Sequence, residues 1–122
     1  MTKTVLIVDD SDSLRQLACI VLKRAGYELI EACNGVDALN KMNGRKVHLI
    51  ISDVNMPLMD GLTFVKQVKS LPEHKFTPII MLSVDSFEVS CQEARVTGVK
   101  AWMVKPFSAE KLLDMVSRFV QP

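Results

Sequence analysis

Three acids, a serine and a lysine offer the chemistry in this chain: Asp9 with Asp10, Asp53, Ser83 and Lys105. Asp53 stands at the centre of the stretch HLIISDVNMPLMDG, residues 48–61. An apolar run, Leu49, Ile50 and Ile51, leads to that single acid, and Asn55, Pro57, Asp60 and Gly61 follow at once with the composition of a loop. This is the pattern of a buried strand that delivers one carboxylate to a solvent-facing edge. Each of the other residues has an ordinary reading beside the chemical one. Asp9-Asp10 suits a helix cap, Ser83 a turn, and Lys105 a solvated surface. Their joint placement at the ends of separate apolar runs is what chance explains poorly.

The elements that must position them can be read in order. Residues 5–8 (VLIV) are apolar on consecutive positions and mostly β-branched, as in a strand covered on both faces. Ser11, Asp12 and Ser13 offer cap oxygens for a helix whose inward stripe is Leu14, Leu17, Ala18, Val21 and Leu22, ending at Gly26. Residues 27–31 (YELIE) form a shorter, more polar edge strand; Asn34-Gly35 starts a helix with Val36, Leu39 and Met42 inward. After the strand ending at Asp53, a helix over 62–71 faces Leu62, Val65, Val68 and Leu71 inward and stops at Pro72. Residues 78–82 (PIIML) and 101–104 (AWMV) are the last strands, ending at Ser83 and at Lys105-Pro106. Between them, 84–98 carries a weaker helical pattern, with Phe87, Val89, Cys91 and Ala94 imperfectly spaced. Ser108 caps a final helix with Leu112, Leu113, Met115, Val116 and Phe119 as its stripe.

Five strand-then-helix units imply a parallel sheet with helices on both faces, because parallel neighbours need crossovers of one hand. The expected fold is a doubly wound, flavodoxin-like α/β sheet in the order 2-1-3-4-5, whose ligands sit beyond the carboxyl ends of the strands. Asp9, Asp10, Asp53, Ser83 and Lys105 meet on that edge.

At 122 residues, 48% hydrophobic and 24% charged, the chain has the size and composition of one globular domain, and we expect a single domain over 1–122 with no output domain. The net charge of +1, without a Lys/Arg run, argues against nucleic acid and acidic membrane as partners. No signal peptide or membrane-spanning run is visible, so a cytoplasmic protein is expected. Cys19, Cys33 and Cys91 are odd in number and widely spaced, which suits buried or idle thiols in a reducing compartment. His48 and His74 read as surface or strand-edge residues.

Ionised carboxylates ~4–5 Å apart cost about 3–4 kcal/mol per pair at an effective dielectric near 20. A hard divalent cation such as Mg²⁺ suits an all-oxygen site of Asp9, Asp10 and Asp53 completed by the backbone carbonyl of Asn55. Beside it, Asp53 becomes a nucleophile toward phosphorus, with Lys105 neutralising phosphoryl oxygens and Ser83 donating a hydrogen bond to one.

Asp9-Asp10, the DVNMPLMDG segment, Ser83 and Lys105-Pro106, at this spacing over essentially the whole chain, resemble the receiver domain of two-component response regulators, and its single-domain, CheY-type members in particular. The resemblance implies that Asp53 accepts phosphate from a sensor histidine kinase or a small acyl phosphate, that Asp9 acts mainly through ordered water, and that the Lys105-Pro106 bond is cis. It implies a switch in which Ser83 turns toward the phosphate, Trp102 moves inward, and the surface of the 84–98 helix, the last strand and the last helix changes. It further implies self-catalysed phosphotransfer and dephosphorylation, without activity as an enzyme on other substrates. The AWMVKPF run resembles chemotaxis members, whose output partner is a component of the flagellar motor switch. A receiver in another phosphorelay is the alternative. A monomer is expected, although the same face suits dimerisation.

Two departures stand out: Trp102 replaces the commoner tyrosine or phenylalanine, and Val84 replaces a small residue, narrowing access to Asp53. Asn55 and Asp85 flank the site where they can orient water and tune phosphate lifetime. Haloacid-dehalogenase-like phosphotransferases carry an Asp two residues after the nucleophile, where this chain has Asn55. A flavodoxin would have a Ser/Thr/Gly-rich first turn, where Asp9, Asp10 and Asp12 repel phosphate.

Overall fold

The computed structural model of the chain describes residues 2–84 and 98–122. Strands β1 (Thr4–Val8), β2 (Glu28–Ala32), β3 (Leu49–Asp53), β4 (Ile79–Ser83) and β5 (Ala101–Val104) form one sheet in the order β2-β1-β3-β4-β5. All four pairings are parallel, with Val5 opposite Leu49, Ile51 opposite Ile80 and Met81 opposite Trp102. This is the doubly wound α/β sheet that the strand-helix alternation predicts.

Helices α1 (Asp12–Arg24), α2 (Gly35–Met42), α3 (Gly61–Lys69) and a C-terminal helix (Ala109–Ser117) cover it, with a 3-10 turn at Pro72–His74. Each helix starts on a side chain that accepts an amide left free by the first turn: Ser11 from Leu14, Asn34 from Asp37, Asp60 from Thr63 and Ser108 from Lys111. Such caps contribute about 1 kcal/mol each. The helix expected over 84–98 lies largely outside the described residues, as do Asp85, Phe87, Val89, Cys91 and Ala94.

Alternation along the strands divides the core in two. Val5, Ile7, Leu49, Ile51, Ile80 and Leu82 pack against Ala18, Cys19 and Leu22 of α1 and Leu112 and Val116 of the C-terminal helix. Leu6, Val8, Ile50, Ile79 and Met81 face Ala38 and Met42 of α2 and Phe64, Val65 and Val68 of α3. Every residue of β3 and β4 is buried, so the strands that end in Asp53 and Ser83 are fixed from both sides.

Several side chains depart from the expected stripes. Leu17 and Val36 remain 43% exposed, whereas Phe64 is fully buried. Residues 17–22 are apolar without interruption, so the period alone does not select the face, and packing turns Ala18, Cys19 and Leu22 inward. Phe119 sits at the surface while Val120 is buried. His74, expected at the surface, is buried because the turn begun by Pro72 folds it inward, with Nδ1 3.4 Å from Thr77 Oγ1. His48 is half-buried, and its Nδ1 accepts the Thr4 amide at 3.0 Å. Cys19 is buried and Cys33 exposed, both as free thiols.

Candidate functional site

Chain order places Asp9 directly after β1, Asp53 as the last residue of β3, Ser83 as the last of β4 and Lys105 directly after β5. Because β1, β3, β4 and β5 are consecutive in the sheet and parallel, these positions meet on one edge. The Lys105 amide donates to the Ser83 carbonyl at 2.8 Å, which ties the end of β5 to the end of β4. The Lys105-Pro106 bond is cis, as the resemblance implied.

Asp9 is fully buried and Asp53 is 5% exposed. Lys105 Nζ lies 3.2 Å from Asp9 Oδ2 and 3.1 Å from Asp53 Oδ2. The remaining oxygens meet amides: Ser11 N–H donates to Asp9 Oδ1 at 2.8 Å, and Asn55 N–H to Asp53 Oδ1 at 3.4 Å. Asp10 is exposed and completes the group; one carboxylate oxygen from each of Asp9, Asp10 and Asp53 lies within 4.8 Å of the others.

One ammonium against three carboxylates leaves two negative charges uncompensated when all are ionised. Burial pushes the Asp53 carboxyl above the usual carboxylate range; the hydrogen bond from Lys105 opposes this, and the charge of Asp9 adds to it. For Lys105, burial alone would lower the ammonium, but its bonds to Asp53 and the charge of Asp9 prevail and raise it. Both partners of the pair therefore hold protons more tightly than usual, Asp53 chiefly because it is buried and Lys105 because two acids face it. An all-oxygen cluster with surplus negative charge and an exposed third acid fits a hard divalent cation such as Mg²⁺. Asp9, Asp10 and Asp53 are the side chains able to hold it, with Asn55 on the adjoining exposed loop.

Gly61 lets this loop close. Its N–H donates to the Val54 carbonyl at 2.7 Å, and a Cβ there would meet the Asp53 carbonyl oxygen, Met81 Cε and Val54 Cα. The start of α3 thus packs against the end of β3 at a separation only glycine permits.

Ser83 is fully buried beneath this edge, and Val84 after it is 69% exposed. Trp102 is half-buried on the face of α2 and α3. Its Nε1 is buried and has no hydrogen-bond partner among the described residues. Asp85 lies outside the described residues.

Arg15 was missed by residue-type reasoning. It donates to the Asp9 carbonyl and to the Asp12 carboxylate, and its Nε lies 3.6 Å from Glu31 Oε1. The i,i+3 spacing of Asp12 and Arg15 was the available signal.

A carboxylate cluster at the carboxyl edge of a five-stranded doubly wound sheet, gripped by one lysine, defines a phosphorylation-switch class of protein. The chain belongs to the response regulator receiver family: a model of the response regulator receiver domain matches residues 5–117. The structure is similar to that of the chemotaxis response regulator CheY4 of Vibrio cholerae, with a TM-score of 0.93 and 43% identity over 98% of this chain and all of that one. In sequence it is 38% identical to the chemotaxis protein CheY1 of Helicobacter pylori, over 90% of each chain. It is 34% identical to protein PilG of Pseudomonas aeruginosa, over 95% of this chain and 86% of that protein. Receivers are signalling proteins rather than enzymes in the strict sense, and they generally take phosphate from histidine kinases. No helix among the described residues is long and apolar enough to cross a membrane.

Proposed function

We propose that Asp53 is the phosphoacceptor of a chemotaxis switch. The observation that carries this is the pairing of the buried Asp53 carboxylate with Lys105 beside Asp9 and Asp10. The Asp53 carboxylate oxygen forms a bond to phosphorus as the donor's P–N bond breaks, and the electron pair of that bond leaves with the donor imidazole. Lys105 is within reach of the charge that collects on the phosphoryl oxygens, and Ser83 supplies a hydroxyl at the end of the adjacent strand. Asp9, Asp10, Asp53 and the Asn55 carbonyl would hold Mg²⁺, which would supply further charge neutralisation at the phosphoryl oxygens.

The donor's approach is supported by an apolar surface next to the site. Leu14 and Leu17 of α1 line a shallow depression with Pro106 and Phe107, and Ile20 extends the exposed stripe. A helix carrying the phosphohistidine of a sensor kinase can seat there with its imidazole facing the acidic edge.

Ser83 and Trp102 transmit the change. A buried indole N–H without a partner among the described residues carries a cost of about 1–3 kcal/mol, so a small bias at Ser83 can move the ring. The altered surface around β5 and the C-terminal helix then meets a component of the flagellar motor switch. The likeness to CheY1 and CheY4 supports chemotaxis over another phosphorelay.

The test uses acetyl phosphate with Mg²⁺, following Trp102 fluorescence and intact mass. Trp102 is the only tryptophan, so the optical signal has one origin. A mass gain of one phosphoryl group that Asp53→Asn abolishes is expected, together with a fluorescence change. A persistent mass gain in Asp53→Asn would refute the acceptor assignment. Tighter binding of the phosphorylated chain to an isolated motor switch protein is the corresponding test of the output.

A further inference from the structure

The opposite end of the sheet has a different character. β2 is an edge strand that pairs with β1 alone. Glu28 N–H donates to the Lys3 carbonyl at 2.9 Å, and the Ala32 carbonyl accepts from Asp9 N–H at 3.1 Å. Main-chain polar groups alternate in direction along a strand, so those of Leu29 and Glu31 point outward. The Glu31 carbonyl is covered by Lys41 Nζ at 2.6 Å. Leu29 lies in the open half of the edge, where a groove of about 690 Å³ runs past it.

That groove is cationic. Lys23 enters from the last turn of α1 on one face of the sheet, and Arg45 and Lys46 from the loop after α2, which covers the other face. All three are exposed, and Glu28 is the one acid that lines the groove beside them. The positive field extends to His48, whose imidazole is held below its usual range by burial and then by the charges of Lys3 and Lys46. An exposed strand edge is a template for another strand, and cations on both sides select its charge.

We propose that the open half of the β2 edge docks an extended acidic segment of a partner protein, which adds as a sixth strand and sets its carboxylates against Lys23, Arg45 and Lys46. Main-chain hydrogen bonds to Leu29 supply register, and alternate side chains meet Lys23 on one face and the Arg45-Lys46 pair on the other. The strip lies beside the amino ends of strands whose carboxyl ends hold Asp53. Five residues of strand separate the two by roughly 15 Å, so a partner held there leaves the phosphoacceptor edge accessible.

The probe is a capped decapeptide that repeats Glu-Glu-Val-Val, which sets carboxylates on both faces of an extended strand, titrated into the full chain labelled with ¹⁵N. Two controls accompany it: the Gln/Val counterpart, and the Glu/Val peptide with every amide N-methylated, so that neither edge can pair. The expected result is a shift of the Leu29 amide resonance with slowed exchange, and affinity lowered about tenfold by Lys23→Glu or Lys46→Glu, since each reversal removes an exposed ion pair and adds a repulsion in its place. The Gln/Val peptide should bind more weakly and the N-methylated peptide should not bind. Equal binding of the N-methylated peptide would reduce the site to diffuse charge attraction and overturn the proposal. So would an unmoved Leu29 amide, or no binding at millimolar peptide. Both substitutions are at exposed positions, and unchanged circular dichroism confirms that the variants fold.

Discussion

Replacing Asp53 by asparagine should stabilise the metal-free protein. The substitution keeps shape and removes one charge from a site that has too much of it. At an effective dielectric near 20, repulsion between Asp9 and Asp53, which each place a carboxylate oxygen within 4.8 Å of the other, is worth about 3–4 kcal/mol, and attraction between Asp53 and Lys105 at 3.1 Å about 5 kcal/mol. Asp10 is exposed, so solvent screening leaves its share below about 1 kcal/mol. These opposing contributions nearly cancel, and the desolvation of a buried carboxylate, several kcal/mol per ion, decides the sign. The raised Asp53 carboxyl pKa, caused first by burial, points the same way. We expect Asp53→Asn to gain about 1–3 kcal/mol in EDTA, read from urea unfolding followed by far-UV circular dichroism. In saturating Mg²⁺ the order should narrow or invert, because a ligand at a hundred times its Kd adds about 2.7 kcal/mol to the protein that binds it. A variant less stable than the parent in EDTA, or an equal Mg²⁺ gain in both, would refute the view of the site as charge-strained and metal-relieved.

Gly61→Ala should cost about 1–3 kcal/mol, because the added methyl meets Met81 Cε at 2.7 Å and Val54 Cα at 2.8 Å; Met81→Ala in the same chain should restore little, since main-chain atoms also block it. His48 has a lowered pKa in the fold, so the unfolded chain binds more protons as pH drops through 6.5 and stability falls on acidification; His48→Gln should flatten that part of a stability-against-pH curve. Val84→Ala should speed phosphorylation of Asp53 by acetyl phosphate relative to the parent, measured by intact mass, and equal rates would remove the steric role of Val84. Arg15→Met should weaken Mg²⁺ binding several-fold in a Trp102 fluorescence titration, because Arg15 holds the Asp9 carbonyl and Asp12 beside the acidic turn; unchanged affinity would show that the turn is set by Ser11 and β1 alone.

The strands were legible because β1, β3 and β4 are covered on both faces and read as unbroken apolar runs, each closed by a polar residue. The same feature made the site residues legible, since a single Asp or Ser after such a run has few structural uses. Helix faces were less so. With residues 17–22 all apolar, nothing local distinguishes Leu17, which stays exposed, from Ala18, which does not. Phe64 escaped the α3 stripe because Leu62, Val65 and Val68 already satisfied the period. His74 is buried by a 3-10 turn that spacing does not encode, and for Arg15 spacing signals the pair with Asp12 but not the reach back past the start of its helix to the Asp9 carbonyl. The cationic groove at β2 was hidden by a net charge of +1, which averages an acidic edge with a basic one.

The unequal burial of the strands also says where a switch can move at low cost. Asp53 and Ser83 stand at the ends of β3 and β4, strands with no exposed residue, and shifting either would disturb both cores. β5 is an edge strand in which only Met103 is buried, and Trp102 lies on its partly open face. Interiors packed at crystal density resist gradual deformation, so displacement concentrates where packing is incomplete. In the proposed switch the charge event would fall on the stiffest part of the sheet and its readout on the adjoining edge, joined to it by the Lys105 amide on the Ser83 carbonyl and the Lys105 ammonium on Asp53. Lys105 thus touches the ends of β3 and β4 by side chain and main chain together, so in the proposed switch a new charge on Asp53 would bear on β5 through it, beside the Ser83–Trp102 route.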